Sequence, residues 1–264
     1  MKSKKPATPY LFWMVLFTLV PFLMICYYAV TDNAGNLSLK PLSDVVFYRE
    51  VYFNSFIVAV VSTAICLVLA YPLSYMLSRA RKSSQRLGVM LLMLPMWMNF
   101  LLRIYGWMVL LQNNGPIDTA LSLFGLDIPL IGNRGAVILG MVYEYLPFMV
   151  LPIYTVMGKI DGSLVEAASD LGANRLNVFK KVILPLSVPG IISGVTMVFV
   201  PSASTFLVAQ YLGSPDDLMI GDVIEKIFIS DFHTGSALSL VLMLVIVVFL
   251  IIMNKFGDEE ALGV

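Results

Sequence analysis

The sequence predicts an all-α membrane protein, with six transmembrane helices in one domain spanning residues 1–264 and both termini in the cytoplasm. Three observations predict it. Of 264 residues, 59% are hydrophobic and 13% charged, with mean hydropathy +0.86, whereas a soluble domain carries about a quarter charged residues. Four stretches, 6–31, 51–78, 182–215 and 232–254, contain no Asp, Glu, Lys or Arg, and each exceeds the roughly 20 residues a helix needs to cross ~30 Å of hydrocarbon. Basic residues fall unevenly on the two sides that these spans define. An ordinary soluble enzyme, a disordered tail and a disulfide-stapled secreted module are thereby excluded. With 17 basic and 17 acidic residues there is no global field for nucleic acid. Cys26 and Cys66 lie inside apolar runs without Cys-x-x-Cys or metal-ligand spacing, and read as small hydrophobes.

The first span, 9–30, follows Lys2, Lys4 and Lys5 as a signal peptide would. Its apolar run is too long for a signal h-region and no Ala-x-Ala-like site closes it. Leu23-Met24-Ile25-Cys26 has lipobox spacing but bulky residues where small ones belong, so an uncleaved helix is expected. The second span is placed at 54–78. The third, 87–111, and the fourth, 135–157, are each interrupted by a single charge, Arg103 and Glu144. Splitting either leaves pieces marginal for crossing, so each is expected to be one helix carrying a buried charge. The fifth and sixth spans are placed at 185–210 and 236–254.

Orientation follows from the basic residues. One side holds Lys2, Lys4, Lys5, Arg79, Arg81, Lys82, Arg86, Lys159, Arg175, Lys180, Lys181 and Lys255; the other holds Lys40, Arg49, Arg134 and Lys226. Twelve against four predicts a cytoplasmic side bearing both termini. Ten acidic residues (Asp32, Asp44, Glu50, Asp118, Asp127, Asp216, Asp217, Asp222, Glu225, Asp231) face the other way, so the external loops sum to −6. That bias would attract cationic cargo, although acidic outer loops are also common for no special reason.

No Gly-x-x-x-x-Gly-Lys-[Ser/Thr], His-Glu-x-x-His or Gly-x-Ser-x-Gly element occurs, and Gly158-Lys159 is followed by Ile160. The single histidine, His233, stands near the outer end of the last span, where a surface role is expected. With no nucleophile–base pair and no metal cluster, transport or scaffolding remains.

The longest cytoplasmic loop, 158–184, carries the strongest local pattern. Ser163 and Glu166 have capping-box spacing, so a short helix is expected to start there. Ala167, Ala168 and Leu171 make it small and apolar on one side, and Gly172 suits a left-handed stop. Asn174 can cap a second short helix, 175–183, with an apolar stripe of Leu176, Phe179, Val182 and Ile183. Pro185 is expected to end it where the fifth span begins. A compact, partly apolar knob on a membrane protein invites a soluble partner.

Glu166-Ala167-Ala168, Gly172 six residues after the glutamate, and Ile183-Leu184-Pro185 resemble the EAA loop of bacterial ABC importer permeases. Six spans with both termini inside are similar to the type I permease core. Within that family, Asn99-Phe-Leu-Leu-Arg-Ile-Tyr-Gly106, Leu146-Pro-Phe-Met-Val-Leu-Pro-Ile-Tyr154 and Leu184-Pro-Leu-Ser-Val-Pro-Gly-Ile-Ile192 are similar to spermidine/putrescine permeases, although permeases for other substrates share parts of them. The resemblance implies a bacterial cytoplasmic-membrane machine: this subunit, a paralogous second permease, a pair of ATPase subunits and an external substrate-binding protein. It implies that Glu166, Ala167, Ala168, Asp170, Leu171, Gly172 and Ala173 dock in a groove of the ATPase. It further implies that ATP and magnesium are held by the ATPase subunits, while this chain binds no cofactor and is not itself an enzyme. Glu166 and Gly172 also have the local roles of cap and turn, which build the shape that docks.

Charges inside the membrane cost several kcal/mol unless paired or hydrated. Counting from the outer ends of their spans, Arg103 lies ~12 Å deep and Glu144 ~13 Å deep at 1.5 Å per residue. Two readings stand: a mutual ion pair holding spans three and four in register, and a cation site at Glu144 beside the translocation path. The fifth span is expected to break at Pro201, grouping Ser202, Ser204, Thr205 and Gln210 on the path. Trp97, Trp107, Tyr143 and Tyr145 offer cation–π faces, although Trp107, near the outer boundary, reads better as an interfacial belt residue. Gly190-Ile-Ile-Ser-Gly194 permits close helix approach, either by chance or to a partner permease. The leading expectation is the membrane-spanning subunit of an ATP-driven polyamine importer. The alternatives are a related importer for another small solute, and a non-ABC scaffold or secondary carrier, the latter often showing inverted repeats that are not seen here.

Overall fold

A computed structural model describes residues 8–32, 34–125, 128–215 and 218–261. Among the residues outside that range are Lys2, Lys4, Lys5, Asp127, Asp216 and Asp217, to which the charge count had assigned sides. In chain order the helices are α1 (Thr8–Met14), α2 (Val20–Ala29), α3 (Lys40–Asp44), α4 (Arg49–Arg79), α5 (Lys82–Trp97), α6 (Phe100–Leu111) and α7 (Pro116–Ser122). They continue as α8 (Arg134–Met157), α9 (Gly162–Asp170), α10 (Arg175–Val178), α11 (Leu184–Ser204), α12 (Leu207–Leu212), α13 (Ile220–Ser230) and α14 (Phe232–Ala261). Among the described residues, five helical segments are long and apolar enough to cross a membrane, and six if one bent pair is a single span.

That bent pair corrects the third span. Instead of one helix over 87–111, α5 ends at Trp97 and α6 starts at Phe100, with a 91° bend between them. Pro95 stands three residues before the stop, and the Asn99 side chain accepts a hydrogen bond from the Leu101 amide, 2.9 Å, to begin the new helix. The apolar run is continuous across the break, so length and hydropathy alone do not reveal it.

Prolines elsewhere do not act as expected. Pro201 does not break the fifth span, because α11 continues to Ser204 and turns extended only at Thr205. Residues after a proline keep their own hydrogen bonds; here the Thr205 amide donates to the Pro201 carbonyl, 2.9 Å. Nor does Pro185 end the helix before it. The π-helical turn Phe179–Ile183 joins α10 to α11, giving one continuous span over Arg175–Ser204. A second π turn, Val15–Leu19, joins α1 to α2 before Pro21. In both, the proline stands two residues beyond a widened turn, where the usual clash with the i−4 carbonyl is relieved.

The chain divides into two compact units. The first comprises residues 1–52 and 223–247. Within it the Tyr52 hydroxyl donates to the Leu238 carbonyl, 2.6 Å. His233 is more than a surface residue: Nδ1 lies 3.1 Å from the Tyr28 carbonyl oxygen, to which it must donate.

The second unit, residues 53–222 and 248–264, is organised on α8. Buried Met141, Met149, Val150 and Ile153 of α8 share one core with Cys66 and Ala70 of α4, Ile104 and Leu111 of α6, Val198 of α11 and Leu212 of α12. Cys66 is buried and unbridged, the small hydrophobe expected. Both glycines of the Gly-x-x-x-Gly pattern are spent inside the chain, on α8, and not on a partner: a Cβ at Gly190 would meet the Pro152 carbonyl oxygen and Ile153 Cα at 3.0 Å. At Gly194 it would meet Met149 Sδ at 2.7 Å.

Candidate functional site: a two-helix knob and a buried ion pair

The knob is built by local hydrogen bonds. Asp161, not Ser163, caps its first helix, accepting from the Ser163 amide at 3.0 Å, and Glu166 is exposed with no capping-box role. Asp161 stands two residues closer to the loop and takes the first free amide, leaving Ser163 inside the helix. Hydrogen bonds from the Ser163 amide and hydroxyl hold the Asp161 carboxyl below its ordinary pKa. At the other end Gly172 is left-handed, φ +81°. The Gly172 amide donates to the Ser169 carbonyl (2.9 Å) and the Ala173 amide to the Ala168 carbonyl (3.1 Å), the paired bonds of a Schellman stop. The spacing from Glu166-Ala167-Ala168 to Gly172 is thus the spacing of one helix and its terminator.

Asn174 then caps α10 as expected, accepting from the Asn177 amide at 2.8 Å. Its apolar stripe is shifted from the expected one. Val178 and Ile183 are buried and Phe179 meets the Tyr71 ring edge-on at 5.7 Å, while Leu176 is exposed. Leu164, Leu171 (89% exposed) and Leu176 project outward with Glu166, Ala167 and Asp170; Ala168 and Ala173 are half-buried in the turn.

Inside the span region, Arg103 of α6 and Glu144 of α8 meet at 2.7 Å, both buried (9% and 1% exposed). The ion-pair reading of matched depths is therefore what the structure contains. It is a half-satisfied pair: Arg103 Nε and Nη1 and Glu144 Oε1 have no hydrogen-bond partner among the described residues. The Phe100 ring lies 5.7 Å from the guanidinium carbon. Next to Glu144, the Tyr145 side chain faces Thr205, the residue at which α11 breaks. Tyr105 and Tyr211 join α6 to α12 through their hydroxyls, 3.2 Å apart.

Of the expected path residues, the structure therefore brings together Arg103, Glu144 and, through Tyr145, Thr205. Ser202 is buried nearby in sequence with no partner for its hydroxyl among the described residues, and exposed Ser204 bonds back to the Val200 carbonyl. Trp97 is 74% exposed on the other arm of the 91° bend and is not joined to the pair. Asn99, which positions α6 and hence Arg103, was missed as a break. Its signal was present: a cap-type residue immediately before Phe100-Leu-Leu-Arg.

Residues 62–258 match the family model described as binding-protein-dependent transport system inner membrane component. The chain belongs to this family. It is 37% identical over 241 residues to the spermidine/putrescine transport system permease protein PotB of Haemophilus influenzae, covering 86% of this chain and 84% of that protein. PotB of Escherichia coli K12 is 36% identical over 253 residues, covering 91% and 92%. Among solved structures, a chain of a bacterial ABC transporter involved in import of the acidic polysaccharide alginate superposes with TM-score 0.77, at 17% identity, over 95% of this chain and 93% of that one. The fold is that of type I ABC importer permeases.

Proposed function

We propose that this chain is a membrane-spanning subunit of an ATP-driven polyamine importer in a bacterial cytoplasmic membrane. The observation that carries this reading is identity of 36–37%, over most of the chain, to two proteins named as spermidine/putrescine permeases. The knob of α9 and α10 docks in a groove of an ATPase subunit, presenting Leu164, Leu171 and Leu176 around a rigid turn. ATP and magnesium reside on the ATPase pair; this chain supplies no nucleotide site. A second, paralogous permease completes the path, and an external binding protein delivers cargo to the side bearing the acidic loops. Polyamine ammonium groups cannot cross dry hydrocarbon, so they move along carboxylate, hydroxyl and aromatic groups. Glu144, Tyr145 and Thr205 are this chain's contribution, with Arg103 holding Glu144 between transport steps.

The deciding experiment is uptake of labelled spermidine and putrescine by a strain lacking the gene, with and without the restored chain. Restored uptake is expected; a restored strain that recovers neither polyamine but recovers another solute overturns the cargo. Both termini are placed in the cytoplasm by the basic bias. Cysteines at positions 83 and 177 should resist an impermeant thiol reagent on intact cells and one at position 113 should react; the reverse pattern inverts the topology. Position 217, an equally suitable external site by charge, lies outside the described residues.

A further inference from the structure

The knob and the ion pair are separated along α8, yet the same two helices reach both. Helix α8 carries Glu144 and Tyr145 and ends at Met157, immediately before the knob. From the knob, α10, the π turn and α11 run without interruption over 30 residues, about 45 Å of helix. That helix finishes at Thr205, against Tyr145. Between the two ends, α8 and α11 cross at Gly190 and Gly194 with backbones in contact: at Gly190 the neighbours are the Pro152 carbonyl oxygen and Ile153 Cα, which cannot rotate away. Tyr71 braces the same pair from α4, its hydroxyl 3.0 Å from Ser187 Oγ, while the Ser74 hydroxyl donates to the Val150 carbonyl at 3.0 Å.

We infer that Gly190 and Gly194 are positioning residues for coupling: their contact with α8 makes the knob and the Arg103–Glu144 site two ends of one stiff element. The inference rests on the reading that the knob docks on an ATPase. Close-packed interiors transmit displacement because they have few alternative packings. A crossing held apart by an added side chain would let α11 slide on α8, so that motion at the knob no longer arrives at Thr205.

The test uses the assembled transporter in proteoliposomes and reads two quantities separately: ATPase subunits retained on the permease, and polyamine transported per ATP hydrolysed. Gly190→Leu should retain the ATPases and lose roughly tenfold or more in the transport-to-hydrolysis ratio, within the span of measured coupling factors. Gly194→Ala should lose less, since its nearest neighbour is the flexible Met149 sulfur, and Gly194→Ala with Met149→Ala should recover in part, the Met149 carbonyl oxygen still standing 3.1 Å from the added Cβ. An unchanged ratio in Gly190→Leu overturns the inference. Equal falls in assembly and ratio, without recovery in the double variant, overturn it too, leaving the glycines merely structural. A Gly172→Trp knob that retains the ATPases and full transport would instead refute docking, an outcome separate from either glycine result.

Discussion

The knob and the buried ion pair deal with polar groups in opposite ways. In the knob, hydrogen bonds close between residues at most five apart: Ser163 to Asp161, Gly172 to Ser169, Ala173 to Ala168, Asn177 to Asn174. Its unpaired groups stand in water, where they cost little. Arg103 and Glu144 meet across two helices, both buried, and three of their polar atoms lack partners among the described residues. A shape built locally survives substitution at its exposed positions. A pair built over distance, and only half satisfied, is expensive to hold and sensitive to movement of either helix.

The largest effect should come from unbalancing the pair. Glu144→Gln leaves the Arg103 charge buried and should cost about 3–5 kcal/mol, as should Arg103→Gln for the carboxylate left behind. The double change should recover most of it, because two neutral amides replace two charges. Thermal unfolding of the purified permease measures this; full additivity of the single losses would show that the side chains do not depend on each other. Uptake then separates structure from transport. A stable double variant that transports normally removes Glu144 from the path and moves the cation site to the second permease. A stable but inactive double variant keeps it there.

A smaller effect is expected at the knob's turn. No atom lies within 4 Å of a Cβ built at Gly172, so space is not the constraint; φ +81° is. Gly172→Ala should cost about 1–2 kcal/mol of local structure, unwinding the turn and weakening ATPase retention, while Gly172→Asn, which tolerates the left-handed region, should be milder. If alanine and asparagine behave alike in a co-purification assay, the left-handed turn is not what the partner requires.

The same contrast decides what was legible beforehand. Gly172 and Asn174 were readable because a few neighbouring residues determine their bonds. Glu166 was misassigned as a capping partner because Asp161 and Ser163 offer overlapping cap frames, and spacing does not choose between them. The Arg103–Glu144 pair was readable, unusually for a long-range contact, because the membrane supplies a ruler for depth. Its missing second and third hydrogen bonds were not, since they depend on how α6 and α8 rotate. The break at 98–99 was hidden by continuous apolarity although Asn99 marked it. The tolerance of Pro185 depended on a π turn, which has no sequence signature of comparable strength.

The smallest effect concerns acid. The Asp161 carboxyl is held below its ordinary value of about 3.9 by the amide and hydroxyl of Ser163. A lowered carboxyl contributes stability that is complete above its unfolded pKa and disappears as pH falls through the folded one. The cap on α9 should therefore be indifferent to pH between 8 and 5 and weaken only below about 4. Asp161→Asn keeps an accepting oxygen without a charge, so it should abolish that dependence; Asp161→Ala should lose the cap at every pH. Hydrogen exchange of the first α9 amides, compared in detergent at neutral and acid pH, resolves the three cases. Equal acid sensitivity in Asp161→Asn would assign the change to another group and would leave the knob's entry held by backbone geometry alone.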